Sequence, residues 1–139
     1  MAELETLSSN LNYLAKNWAK IVDDFFMSFG DEFIKLVQSQ LQKGEDANGL
    51  ITPEYRGGYG RNKSSYPNPN LYDTGDFYKK MVFTEFNEII STDWKMPKLM
   101  VKYGDAILTP QDKRLTQLVN SEMIPKFELY IENLLLQGV

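Results

Sequence analysis

"LETLSSNLNYLAKNWAKIVDDF", residues 4–25, decides the fold class. Its apolar residues Leu4, Leu7, Leu11, Leu14, Trp18, Ile21 and Phe25 recur at alternating intervals of 3 and 4. That spacing lines side chains along one stripe of an α-helix. It predicts a helix from about 4 to 28, and because three heptads are short for an independent coiled coil, the stripe is expected to face the protein's own core. Ser28 and Gly30 interrupt the pattern, Asp31 can cap a new start, and Phe33, Leu36, Val37 and Leu41 resume it in a shifted register. A second helix, or a kinked continuation of the first, is expected over 31–43.

Gly44 is a natural stop for that helix. Beyond it, "GEDANGLITPEYRGGYGRNKSSYPNPN", residues 44–70, holds five of the nine glycines and three of the six prolines, with Tyr55, Tyr59 and Tyr66 among them. Loops of this length are uncommon inside a domain, and this one is expected either to dock on a partner through its tyrosines or to fold against its own domain. "VFTEFNEIIST", residues 82–92, is rich in β-branched and aromatic residues with a polar break at Asn87 and Glu88, the pattern of a short β-hairpin. Pro97 opens and Gly104 closes a short helix, and Thr109, Pro110 and Asp112 have the chemistry of an N-cap, N1 and N3. Leu115, Leu118, Val119, Phe127, Ile131, Leu134 and Leu135 mark a C-terminal amphipathic helix that Pro125 should kink or divide. The expected fold is α+β and mainly helical, a single domain over 1–139 with a long Tyr/Gly/Pro-rich loop.

The chain has no cysteine and no histidine. Disulfides, thiolate metal sites and the commonest general base are therefore excluded, and a non-enzymatic protein with no cofactor and no metal is expected. Its hydrophobic content of 42% and aromatic content of 13% suit a globular chain, not a disordered one. A net charge of −4 opposes a protein whose task is to neutralise phosphates, and direct nucleic-acid binding is not expected. The basic part is residues 51–80, at +2, while residues 1–50 carry −4. Nothing approaches a membrane-spanning run, and "MAELETLSSN" lacks the regions of a signal peptide, so a chain working in solution, away from membranes, is expected.

Several motifs fail on spacing. Aligning Gly49 to the glycine of a calcium loop puts Gly44 and Tyr55 where carboxylate ligands are required. In "RGGYGRNKSS", Asn62 stands where a phosphate loop needs glycine before Lys63. Two weaker alternatives stay open: Arg56, Arg61 and Lys63 with Tyr55 and Tyr59 as a small nucleic-acid-binding or regulatory surface, and Asp73 with Asp76 as the carboxylates of a metal-dependent hydrolase.

The densest mixture of residue types is "NLYDTGDFYKKM", residues 70–81, where Asp73 or Thr74 can cap a short helix, Gly75 leaves room for close approach, and Phe77 and Tyr78 can act as anchors. This stretch, with Asp46, Gly49, Ile51 (or Leu50), Pro53 and Tyr55 before it and "KYGDAI" at 102–107 after it, resembles small structural proteins of tailed bacteriophages and prophages. Those of gut Bacteroidetes, including crAss-like phages, are notable among them. The likeness covers roughly residues 43–108, and the Thr74-Gly75-x-Phe77 core is similar to that of tail-completion and neck proteins. It departs from them at Lys79 and Lys80, where they carry a serine, and in the spacing of "SSYPNPN".

What the resemblance implies is a virion protein assembled in the host bacterial cytoplasm, a head-tail connector or tail ring subunit. Its expected partners are itself, as a homo-oligomer, and neighbouring portal, neck or tail proteins. Candidate interface residues are Tyr55, Arg56, Tyr59, Arg61, Tyr66, Tyr72, Asp73, Thr74, Gly75, Asp76, Phe77 and Tyr78.

Overall fold

The computed structural model describes residues 2–137. Met1, Gly138 and Val139, which the expected domain 1–139 includes, lie outside the described residues. In chain order the elements are α1 (Ala2–Lys16), α2 (Trp18–Met27), α3 (Gly30–Gln42), β1 (Glu45–Asp46), β2 (Gly49–Leu50), α4 (Asp76–Lys79), β3 (Met81–Phe83) and β4 (Ile89–Ser91). Then come α5 (Met96–Tyr103), a 3-10 turn (Asp105–Leu108), α6 (Asp112–Leu118), a π-helical turn (Val119–Met123) and α7 (Ile124–Gln137). The fold is mainly helical α+β, with short antiparallel two-stranded sheets. The chain separates into two compact units, one from Met1–Phe29 with Thr116–Val139, the other from Gly30–Leu115.

In the first unit, the predicted N-terminal helix is present with an interruption at Asn17, across which backbone hydrogen bonds continue from Asn17 to Tyr13 (3.0 Å) and from Ile21 to Asn17 (2.9 Å). Glu3 and Glu5 sit at the positive end of the α1 dipole and Lys16 at its negative end, each favourably placed. The predicted apolar stripe divides: Leu7 and Leu14 are half-buried and Ile21 is buried, while Leu4, Leu11 and Trp18 stay largely exposed. Asn10 ties α1 to α7 by donating from Nδ2 to the Leu135 carbonyl at 2.8 Å. Phe127 of α7 meets Phe25 at 4.8 Å and Trp18 edge-on at 5.8 Å between ring centroids. Pro125 has no N–H to give and would crowd the carbonyl four residues back. A widened π turn immediately before it absorbs that conflict, so the predicted division falls at Val119–Met123.

The second unit is built on α3. Phe33, Val37 and Leu41, spaced by four, are buried, and Phe33 packs on Phe83 of β3 at 5.2 Å. Ile107 and Leu108 of the 3-10 turn are also buried. Gln40, fully buried, holds the segment after that turn: its Nε2 donates to the Thr109 carbonyl at 3.1 Å and its Oε1 accepts from the Gln111 N–H at 2.6 Å. Gln111 in turn donates to Glu45 Oε1 (3.0 Å) and to the Asp46 carbonyl (2.9 Å). Strand β3 pairs with β4 in the register Met81↔Ser91, Val82↔Ile90 and Phe83↔Ile89, the predicted hairpin, with Asn87 at φ 61° in its turn.

Two expected caps are absent. The Thr109 hydroxyl donates backwards to the Asp105 carbonyl at 2.9 Å, and α6 begins only at Asp112. The N-cap of α4 is Gly75, not Asp73 or Thr74. A small ladder, Glu45↔Leu50 and Asp46↔Gly49, was likewise not foreseen at the start of the long loop.

Candidate interaction surface

The long loop is ordered by its own backbone. Successive turns run through it: Tyr59 N–H to the Arg56 carbonyl (3.1 Å), Arg61 to Gly58 (3.1 Å), Lys63 to Gly60 (2.9 Å), Tyr66 to Lys63 (3.1 Å) and Asn68 to Ser65 (2.9 Å). Its two ends are stitched together by the Tyr55 N–H on the Pro67 carbonyl (2.8 Å) and by Asn68 Nδ2 on the Ile51 carbonyl (2.9 Å). Ile51 and Asn68 are buried, which anchors the loop in its unit. A glycine-rich, proline-rich sequence is therefore closed into a braced Ω-like loop, the kind whose ends lie close and whose side chains pack on one another.

On this frame Tyr55 and Tyr59 meet edge-to-face at 5.2 Å. The Lys63 ammonium stands 5.3 Å from the Tyr55 ring centroid, and its Nζ reaches the Tyr55 hydroxyl at 3.2 Å. Gly60 is required here: its φ is +75°, and a Cβ on it would lie 2.6 Å from the Tyr55 ring. Tyr59 is 67% exposed, and Tyr66, Arg56 and Arg61 are exposed beside it in the sequence. The loop thus presents aromatic and guanidinium groups outward from a fixed backbone.

The motif at 72–78 divides by burial. Tyr72, Asp73, Thr74 and Asp76 are exposed, whereas Gly75, Phe77 and Tyr78 are buried. Phe77 and Tyr78 fill the core of their own unit, so that of the two uses open to these aromatics, core filling and an intersubunit contact, burial matches the first and removes them from the candidate interface. The Phe77 carbonyl accepts from Ser91 Oγ (2.8 Å) and the Tyr78 carbonyl from Gln38 Nε2 (3.0 Å). The Tyr78 hydroxyl donates to the Asn70 carbonyl, and burial pushes its pKa well above the ordinary tyrosine value. Tyr72 lies edge-on against the Tyr78 ring at 5.1 Å, and its hydroxyl occupies the space a Cβ on Gly75 would need, 2.9 Å away. Gly75, at φ +87°, makes room for a side chain and not for another backbone.

Among the described residues, no group of three or more His, Cys, Asp or Glu side chains could hold a metal ion, and Asp73 and Asp76 both point to solvent by their exposure. No helix of the described residues is long and apolar enough to cross a membrane. Sequence reading overlooked Trp94 and Val101, which are 78% and 89% exposed at α5. The signal that could have found them is their seven-residue interval beside Lys95, Lys98 and Lys102. Comparisons with protein-family models, with curated proteins and with solved structures find no match for this chain.

Proposed function

We propose that this chain is a non-enzymatic structural subunit of a tailed-phage or prophage virion, a ring subunit or adaptor at the neck or tail. Its partners in this reading are further copies of itself and neighbouring portal, neck or tail proteins. The observation that carries the proposal is the braced loop that holds Tyr59 and Tyr66 outward with Arg56 and Arg61. Tyr and Arg are the residue types that dominate protein interfaces, and a loop already ordered loses little entropy on docking. The resemblance across residues 43–108 supplies the kind of assembly, and a closing heterologous contact supplies the ring.

Light scattering coupled to size-exclusion chromatography, with negative-stain images of the eluted species, tests this reading. Oligomers with closed outlines are expected from the wild-type chain, and a Tyr59→Ala/Tyr66→Ala variant should lose them with an unchanged circular dichroism spectrum. An oligomer that the variant forms as readily as wild type would remove the loop from the interface. The Arg-and-Tyr composition of the same loop would also suit single-stranded nucleic acid, so salt-dependent binding of an oligonucleotide at Arg56 and Arg61 would replace the assembly reading.

A further inference from the structure

Two exposed helical faces in this chain complement each other. On α5 the apolar pair is Trp94, in the turn that leads into the helix, and Val101, seven residues on. The backbone already winds helically from Lys95, whose carbonyl accepts the Leu99 N–H at 3.0 Å. On α7 the pair is Leu129 and Leu136, 58% and 66% exposed, also seven apart. The α7 pair spans two helical turns, about 10 Å along the axis, and the α5 pair has the same spacing in sequence, with Trp94 two residues ahead of the first helical residue. Lys95, Lys98 and Lys102 flank the first pair, and α5 carries no acidic residue. Glu128 and Glu132 flank the second and are exposed. Among the described residues, none of Lys95, Lys98, Glu128 and Glu132 takes part in an ion pair within the chain.

We propose that α5 of one copy docks along α7 of a second copy, the two helices running in the same direction, with Trp94 opposite Leu129 and Val101 opposite Leu136. The hand of the helix selects this orientation. At about 100° per residue, Lys98 lies roughly 60° forward of Val101 around the helix, and Glu132 lies roughly 50° behind its own apolar pair. Parallel neighbours bring a forward flank against a backward one, which is how charged flanks meet in parallel coiled coils. In the parallel alignment Lys98 stands within one residue of the level of Glu132, and Lys95 within two of Glu128. An antiparallel neighbour would instead turn the lysine flank towards Asn133 and Lys126.

The contact joins different faces, so each copy offers both, and repetition gives a closed ring or an open chain. It rests on the assembly reading above and names its chemistry. Two helical turns bury less than the roughly 1,200–2,000 Å² of a stable pairwise interface, so a single contact is weak and salt-sensitive.

Sedimentation velocity of the full chain at low salt, across a concentration series, is the test, with Lys98→Glu and Glu132→Lys as the probes. Both positions are on the surface, and unchanged circular dichroism checks the fold of each variant. Either reversal alone should weaken self-association roughly tenfold or more, because like charges then face each other. An equimolar mixture of the two variants should regain it, as should a single chain carrying both substitutions. Association that neither reversal changes overturns this contact while leaving ring assembly through the tyrosine loop intact. Loss without rescue in the mixture points to a different occupant of α5 and overturns the pairing with α7. A wild-type chain that stays monomeric throughout the series overturns it as well, and leaves the tyrosine variants to judge the assembly reading with virion neighbours present.

Discussion

The unit formed by Gly30–Leu115 buries ten core side chains among the described residues, whereas the unit of the N- and C-terminal helices buries four, Ile21, Phe29, Met123 and Leu134. Among the described residues the smaller helical unit leaves nine large apolar residues exposed, among them Leu4, Leu11, Leu129 and Leu136, against eight in the larger unit. Helices satisfy their own backbone, so a helical layer can persist with a thin core and keep apolar surface available to a partner. Irregular chain has no such recourse. Its backbone groups need partners one at a time, and the second unit supplies them through Gln40, Gln111, Asn68, Ser65 and Ser91. The difference is one of means: the larger unit fixes its irregular chain with buried polar side chains, and the smaller one rests on helices whose own backbone bonds carry a thin core.

Truncating one buried and one exposed leucine strains this comparison hardest. Leu41, fully buried in α3, should cost about 2–5 kcal/mol when replaced by alanine, from lost burial and the cavity left behind. Leu129→Ala on α7 should change the stability of the isolated chain by no more than about 0.5 kcal/mol. Urea midpoints at low protein concentration measure both. Equal costs would mean that Leu129 already lies in a core, and the contrast between the units would collapse.

The part of this architecture most legible in the sequence is the part set by periodicity and punctuation. Apolar spacing located α3 and the terminal helices, Gly44 ended α3, and Pro97 and Gly104 bounded α5 because φ and N–H constraints act locally. Periodicity could not say which half of the N-terminal stripe is covered. Leu7 and Leu14 turn inward while Leu4 and Leu11 do not, and that depends on where α7 lies. Capping chemistry misled at Thr109 and Asp73 because each side chain has a competing local use or a glycine standing ahead of the helix. In the candidate surface, Tyr59 and Tyr66 are exposed, whereas Phe77 and Tyr78 are core residues. A buried aromatic and an interface aromatic look alike until the packing around them is known.

The polar bracing of the second unit gives the next largest effect. Gln40→Ala would strand the Gln111 N–H and the Thr109 carbonyl, each of which now has a buried amide for a partner. The expected loss is about 1–3 kcal/mol, read from the denaturant midpoint. A smaller loss would show that water enters to replace the amide, and that the second unit is less tightly closed than its hydrogen bonds imply.

Tyr78→Phe is the mildest change, about 1 kcal/mol near neutral pH for the hydrogen bond to the Asn70 carbonyl, yet it carries a signature in pH. Burial, first among the causes, raises the hydroxyl pKa above the ordinary 10.0, with Tyr55 and Tyr72 adding to it. In the unfolded chain Tyr78 loses its proton at the ordinary value, while in the folded chain it keeps it to higher pH. Between those points the folded state binds more protons, so stability falls as pH rises. The contribution is complete below the unfolded pKa and disappears on the way up through the folded one. Wild-type urea midpoints should therefore decline from about pH 9 to 11 more steeply than those of Tyr78→Phe. Parallel slopes would mean that the Tyr78 hydroxyl meets solvent, and would move this residue from the core of its unit back to the surface formed by Tyr72 and its exposed neighbours.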